Sequence, residues 1–242
     1  MAGHSKWKNI QRRKNAQDAK RGKVFMKFAK ELYVAAKSGG GDPATNAALR
    51  LVIDKAKEAN MPNDNIQRAI NKATGNTDGA HYEEIIYEGY GPGGVAVMVS
   101  CLTDNKNRTA SNVRLAFSKN SGNLGESGCV SYLFDRKGYL AISREGLDLD
   151  EDEMLLQVIE AGGEELETSD EVFEIFTDQE SFFTVKENLS QAGFTFVEAE
   201  ITMVPQTYTK LPEEQAAKME KMLDMLEDDD DVQDVYHNFE EE

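Results

Sequence analysis

The spacing of apolar residues changes at Gly75, and that change constrains the fold more than any other feature of the chain. Before it the apolar positions follow a helical period; after it they fall into short runs and alternations suited to strands. Over residues 20–37, Val24, Phe28, Leu32 and Ala36 recur on one helical face, which Phe25 and Ala29 widen. Gly39, Gly40 and Gly41 end it. Asp42 then offers a side-chain cap with Pro43 at the first helical position, and Leu49, Val52, Ile53 and Ala56 predict a second helix ending near Asn60. After the break at Pro62, Asn63 caps a third helix that buries Ile66, Ala69, Ile70 and Ala73, with Gly75 placed to stop it. Residues 1–79 therefore read as a basic arm and a three-helix domain.

Beyond Gly75 the expected elements are strands at 84–88 and 95–102 and a helix at 108–119. At the other end of the chain they are a short strand at 207–210, a helix at 213–226 and a strand at 232–239. Neither 80–129 nor 205–242 is long enough to bury a core with so few elements, so the two are expected to form one discontinuous α+β domain. Between them, 130–204 reads as strands at 130–134 and 139–142, a helix at 151–161, strands at 164–167 and 172–176, a helix at 179–191 and a strand at 194–201. Apart from the opening strand this is the βαββαβ order of a ferredoxin-like domain, inserted into the second. The expected fold class is α+β with three domains.

Charge is segregated along the same axis. The chain carries 27 Lys+Arg against 44 Asp+Glu, a net charge of −17. Residues 1–75 hold 16 basic and 6 acidic residues, net +10, which leaves 76–242 at −27. A basic arm on an acidic body is the asymmetry expected when one end meets a polyanion; a solvated tail would not require it. The candidate nucleic-acid contacts are Lys6, Trp7, Lys8, Arg12, Arg13, Lys14, Lys20, Arg21, Lys23 and Lys27, joined by Arg68 and Lys72 on the third helix. Basic side chains neutralise phosphates, and Trp7, the chain's one tryptophan, could stack on an unpaired base. Lacking a sustained apolar stripe, the arm is expected to add little to any core.

Several function classes find no support. The longest apolar run, 95–102, is far short of the ~20 residues of a spanning helix, and the first residues lack the apolar stretch of a signal peptide. A cytoplasmic protein with no membrane partner is expected. Two cysteines and three histidines show no paired ligand spacing, so neither a metal nor another cofactor is expected. The acidic run Asp228-Asp229-Asp230-Asp231 lacks the glycine of a calcium loop and reads as a solvated turn.

Three loops could carry chemistry. Gly89-Tyr90-Gly91-Pro92-Gly93-Gly94 satisfies GxGxxG, but Val95 then begins a strand, which favours a hairpin over a dinucleotide site. Thr103-Asp104-Asn105-Lys106-Asn107-Arg108-Thr109 joins a buried strand to a helix that Asp104 or Asn107 could cap. Asp104, Asn105, Asn107, Arg108 and Arg114 are its candidate functional residues, with a cap and surface salt bridge as the plainer alternative. Ser121-Gly122-Asn123-Leu124-Gly125-Glu126-Ser127-Gly128 could cradle phosphate, but no P-loop lysine follows it.

Taken together, Met1-Ala2-Gly3-His4-Ser5-Lys6-Trp7, the Gly91-Pro92-Gly93-Gly94 turn, the 103–109 loop and Gly122-Asn123-Leu124-Gly125 closely resemble the YebC family from end to end. Ser121, where the family typically has Gly, and Cys129, where Ser is usual, are the departures. The resemblance implies three domains with a discontinuous middle one, and a role in gene expression without catalysis. It also implies two targets, since the family is commonly labelled as DNA-binding transcriptional regulators while some relatives act in translation. The leading expectation is a non-enzymatic regulator that binds RNA at the translating ribosome, with basic proteins as partners of the acidic domains. A DNA-binding transcriptional regulator is the alternative. An enzyme with an interdomain site lined by Arg108, Asp104 and the glycine loop is the weakest reading, because no acid, base or nucleophile constellation accompanies those residues.

Overall fold

The computed structural model describes residues 5–18, 21–75 and 81–240, without the side chains of Ser5, residues 13–18 and Arg21. The chain divides into two compact units. One contains residues up to Arg13, Val130–Leu211 and the chain from Tyr236; the other contains Lys14–Cys129 and Pro212–Val235. Both are built from helices and four-stranded sheets, so the α+β class holds.

In the second unit, α2 (Arg21–Gly39), α3 (Ala47–Glu58) and α4 (Asn63–Thr74) enclose a core of Leu32, Tyr33, Ala36, Leu49, Ile53, Ala56, Ile66, Ile70 and Ala73. The helical stripes of the sequence supply it. One boundary moves: α3 begins at Ala47 rather than after Asp42. Asn46 accepts from the Leu49 amide (3.0 Å) while its side-chain NH₂ reaches the carbonyls of Ala35 and Gly40, so it caps α3 and anchors the end of α2 together. Asp42 caps only a turn, accepting from the Ala44 amide.

The sheet of this unit has the order β3-β1-β2-β8, formed by β1 (Glu83–Tyr90), β2 (Ala96–Thr103), β3 (Asn123–Leu124) and β8 (Val232–His237). β1 and β2 form an antiparallel hairpin from Glu83↔Thr103 to Tyr90↔Ala96, closed by the Gly91 to Gly94 turn. That turn needs φ of 65° at Gly93 and 81° at Gly94, values glycine adopts without a Cβ clash. β2 is buried along almost its whole length, as its unbroken apolar run requires. Beside the sheet lie α5 (Lys106–Lys119) and α8 (Glu213–Glu227).

The first unit has the sheet order β5-β6-β4-β7, every neighbouring pair antiparallel, from β4 (Phe134–Ser143), β5 (Glu165–Thr168), β6 (Val172–Thr177) and β7 (Glu198–Pro205). With α6 (Glu151–Ala161) and α7 (Phe182–Gln191) this is the ferredoxin-like arrangement. The expected strand at 130–134 is instead a 3-10 turn at Ser131–Leu133, and β4 continues through Gly138. There a Cβ would come within 2.7 Å of Phe182, so Gly138 serves close packing inside a strand rather than a break between two. At 207–210 the expected strand reduces to one bridge, Thr209↔Phe239.

Side chains alternate across this sheet. Leu140, Ile142, Phe173 and Ile175 face α6 and α7, whereas Tyr139, Ala141 and Phe176 point to the opposite face, where Ile10 of α1 (Ser5–Asp18) completes a small cluster with Trp7 and Val204. This corrects the expectation for the arm. Ile10 is only 4% exposed, so one apolar side chain per turn pair, too sparse to read as a stripe, is enough to seat the helix.

Candidate nucleic-acid interface

The basic residues of the sequence have three fates. On α1, Trp7 does not present a free ring: its indole N–H donates to Glu171 (2.9 Å), which also accepts from Gln11, and the ring packs beside Ile10. Lys6 lies over the Tyr139 ring at 5.9 Å and reaches the Thr202 hydroxyl. The groove bordered by Trp7 and Gln11 is also lined by Glu145, Asp170 and Glu171 against the one cation Arg144, a net negative lining that disfavours phosphate. Lys8 is exposed and Arg12 half-buried. Lys20 and the side chains of Arg13, Lys14 and Arg21 lie outside the described residues.

Beneath α1 the sheet is acidic. Glu174 is fully buried, and its Oε1 accepts from the Tyr139 hydroxyl at 2.8 Å. Burial pushes its carboxyl up to about 7, although the Tyr139 hydrogen bond, the Trp7 backbone amide and the Lys6 ammonium pull the other way. His237, from the far end of the chain, is also buried, and its imidazole is pushed down to about 3, first by desolvation and then by Arg12 and Lys6.

On α2, Lys23, Lys27 and Lys30 form a row at helical spacing, and the row points inward to the end of α8. Their ammonium groups donate to the carbonyls of Asp228 (2.8 Å), Glu227 (2.9 Å) and Asp230 (2.7 Å), the uncapped carbonyl end of that helix and its following turn. Lys23 and Lys27 thus hold an acidic turn.

Asp231 is the centre of that turn. It is 2% exposed, which overturns the reading of 228–231 as wholly solvated. Its carboxylate receives Lys30 (3.0 Å), Arg108 through both Nε (2.9 Å) and Nη2 (2.6 Å), and the Thr109 hydroxyl (3.0 Å). Burial alone would raise its pKa, but the hydrogen bonds from Arg108, Lys30 and Thr109 outweigh it and hold the carboxyl below its usual value.

The 103–109 loop is therefore a brace. Asn105, and not Asp104 or Asn107, caps α5 by accepting from the Arg108 amide (3.1 Å), because it alone stands one residue before the first turn with an extended backbone. Asp104 is free to pair with Arg108 Nη2 at 2.9 Å. Asn107 and Arg114 are exposed on α5. The glycine loop is likewise structural: Glu88, buried beside it, accepts from the Gly128 amide (2.8 Å), placing a carboxylate where a phosphate would have to sit.

Among the described residues, α4 carries an exposed cationic pair. Arg68 and Lys72, one helical turn apart, are exposed and make no ion pair among the described residues; Arg50 and Lys57 are exposed on α3. Sequence reasoning named Arg68 and Lys72 but missed Lys30, which the inward row on α2 and the acidic run together could have suggested.

Similarity to known proteins points the same way as the motifs. The profile of the TACO1/YebC protein N-terminal domain matches residues 5–76, and that of the TACO1/YebC second and third domain matches residues 82–239. A probable transcriptional regulatory protein of Geobacillus sp. strain WCH70 is 74% identical over 241 residues, covering 100% of this chain and 98% of its own. The probable transcriptional regulatory protein YrbC of Bacillus subtilis strain 168 is 63% identical over 239 residues, covering 99% of each. Among solved structures, a conserved hypothetical protein of Aquifex aeolicus superposes with a TM-score of 0.81 at 50% identity, over 92% of this chain and 91% of that one.

Proposed function

Because the chain belongs to the TACO1/YebC family, we propose that it regulates gene expression without catalysis, by binding RNA at the translating ribosome through its basic N-terminal region. The observation that carries this reading is the pairing of an exposed cationic face on α4, Arg68 with Lys72, with a chain whose residues 76–242 carry −27. Such a molecule offers one small basic face to nucleic acid, and the rest of it is repelled by a second stretch of phosphate. A ribosome presents RNA to the one and basic proteins to the other. In this reading three domains share the work: 1–79 contacts RNA, while 80–129 with 205–242 and the inserted 130–204 face protein.

The name carried by the relatives, probable transcriptional regulatory protein, favours a second reading in which DNA is the target. The outer face of α4 speaks against sequence readout. The Gln67 amide is bonded to the Asn71 side chain at 2.9 Å, so two of the four amide side chains of α4 that could pair with adenine occupy one another. Crosslinking in cells followed by sequencing of both bound RNA and bound DNA separates the two. Recovery of ribosomal RNA ahead of any DNA supports the first reading, and enrichment of particular promoters with no RNA supports the second.

A further inference from the structure

Helix α6 is apolar on two sides, and only one of them has a partner. Met154, Val158 and Ala161 are buried against the sheet of the ferredoxin-like domain, as a surface helix requires. On the outward side Leu155, Leu156 and Ile159 are 40%, 61% and 60% exposed. Helical spacing of three and four residues puts Ile159 next to both leucines, so the three form one continuous stripe rather than scattered surface residues.

The charges around the stripe have a single sign. Every charged residue of α6 is acidic: Glu151, Asp152, Glu153 and Glu160. Between Arg144 and Lys186 the chain has no Lys or Arg at all and 15 Asp and Glu. The carboxylates of the first turn serve the helix itself, since Asp150 and Glu153 form a capping box and negative charge suits an N-terminus. Glu160 has no such account. It stands in the last turn, where the helix dipole disfavours a carboxylate.

We propose that the outward face of α6 docks a basic, amphipathic helical segment of a protein partner, whose apolar side covers Leu155, Leu156 and Ile159 while its Lys and Arg meet Glu160 and Asp152. Charge complementarity chooses this occupant. A second copy of the chain in a two-fold contact sets four carboxylates against the same four, and nucleic acid brings phosphate to them. The proposal rests on the reading of 130–204 as a protein-facing domain, but its face is remote in sequence from the RNA contacts, so a failure here leaves RNA binding by the N-terminal region untouched.

The test uses the full chain and a fluorescent peptide of Leu and Lys of about five helical turns, its leucines on one face, against a permuted peptide of the same composition with no such face. Binding is read by anisotropy near physiological salt, and its place by hydrogen-exchange protection of the α6 peptide amides. The expected result is that the amphipathic peptide binds at least about tenfold tighter than the permuted one and protects α6. The double variant Leu156→Gln/Ile159→Gln should lose about tenfold or more, and Glu160→Gln should weaken binding and flatten its salt dependence. These side chains are exposed, so circular dichroism and melting should be unchanged in both variants. Equal binding of the two peptides, full binding by the double variant, or self-association of the wild type that the double variant abolishes would each overturn the proposal.

Discussion

The Arg108 guanidinium grips Asp231 side-on, with Nε 2.9 Å from Oδ2 and Nη2 2.9 Å from Oδ1, and so ties the start of α5 to the acidic turn after α8. Residues separated by 123 positions are joined where Lys30 of α2 also arrives. The 103–109 loop is a junction of three helices.

Arg108→Ala should therefore lower stability by about 1–3 kcal/mol, a range reduced from that of a buried pair because the Arg108 side chain is half exposed. Asp231→Ala, which strands Lys30, Arg108 and Thr109 at once, should cost more. Urea unfolding monitored by circular dichroism gives both values. An unchanged midpoint for Arg108→Ala would show the contact to be ornamental.

The seating of α1 makes a second prediction. Ile10→Ala should destabilise the ferredoxin-like unit by about 2–4 kcal/mol, the usual range for truncating a buried aliphatic side chain. Trp7→Phe keeps the ring but loses the hydrogen bond to Glu171, and should cost about 1 kcal/mol. Native-state hydrogen exchange of β4 and β6 reads the change where it arises; no change there for Ile10→Ala would mean that α1 does not sit on the sheet in solution.

Stability should also respond to pH through Glu174. Its folded pKa of about 7 lies above the ordinary 4.5, so the folded state holds the proton more tightly and stability falls as pH rises through that window. Glu174→Gln removes the penalty. The variant should be more stable than wild type by about 1–3 kcal/mol near pH 8, with the difference shrinking toward about pH 5. His237 acts in the opposite sense, because a group held down to about 3 loses stability as pH falls below 6.5; present in both proteins, it cancels from the difference. A variant less stable than wild type near pH 8 would contradict the assignment.

Ser121 sits at φ 63°, a left-handed conformation that costs a residue with a Cβ about 1 kcal/mol. Ser121→Gly should raise stability by no more than about 0.6 kcal/mol once the greater freedom of glycine in the unfolded chain, about 0.4–1 kcal/mol, is deducted. Thermal melting is sufficient to detect it, and a lowered melting temperature would show that the serine hydroxyl contributes more than the strain removes.

Much of the architecture was legible because it rests on periodicity. The stripes Leu49-Ile53-Ala56 and Ile66-Ile70-Ala73 found their core, and the 151–161 helix was placed to the residue. Errors cluster where long-range packing decides. The strand expected to start at 139 begins at Phe134 because nothing local announces that Gly138 packs under Phe182, and Asn46 rather than Asp42 caps α3 because the cap must also bond the end of α2. The candidate site was legible as a list of charges but not as a surface. Lys23 and Lys27 bond backbone carbonyls and Arg108 a carboxylate far along the chain, and Trp7 is taken by Glu171, so only the packed structure separates them from the exposed Arg68 and Lys72.

The most direct measurement of the central claim is sedimentation of cell lysates through sucrose gradients, comparing the wild-type chain with Arg68→Ala/Lys72→Ala. The wild type should migrate with ribosomes and follow them into monosomes after nuclease treatment, while the double variant, unchanged in melting, should shift toward the top. A wild-type protein that stays at the top of the gradient and prefers particular promoter sequences over random DNA by ~10³ or more, the range of specific DNA binders, would contradict it.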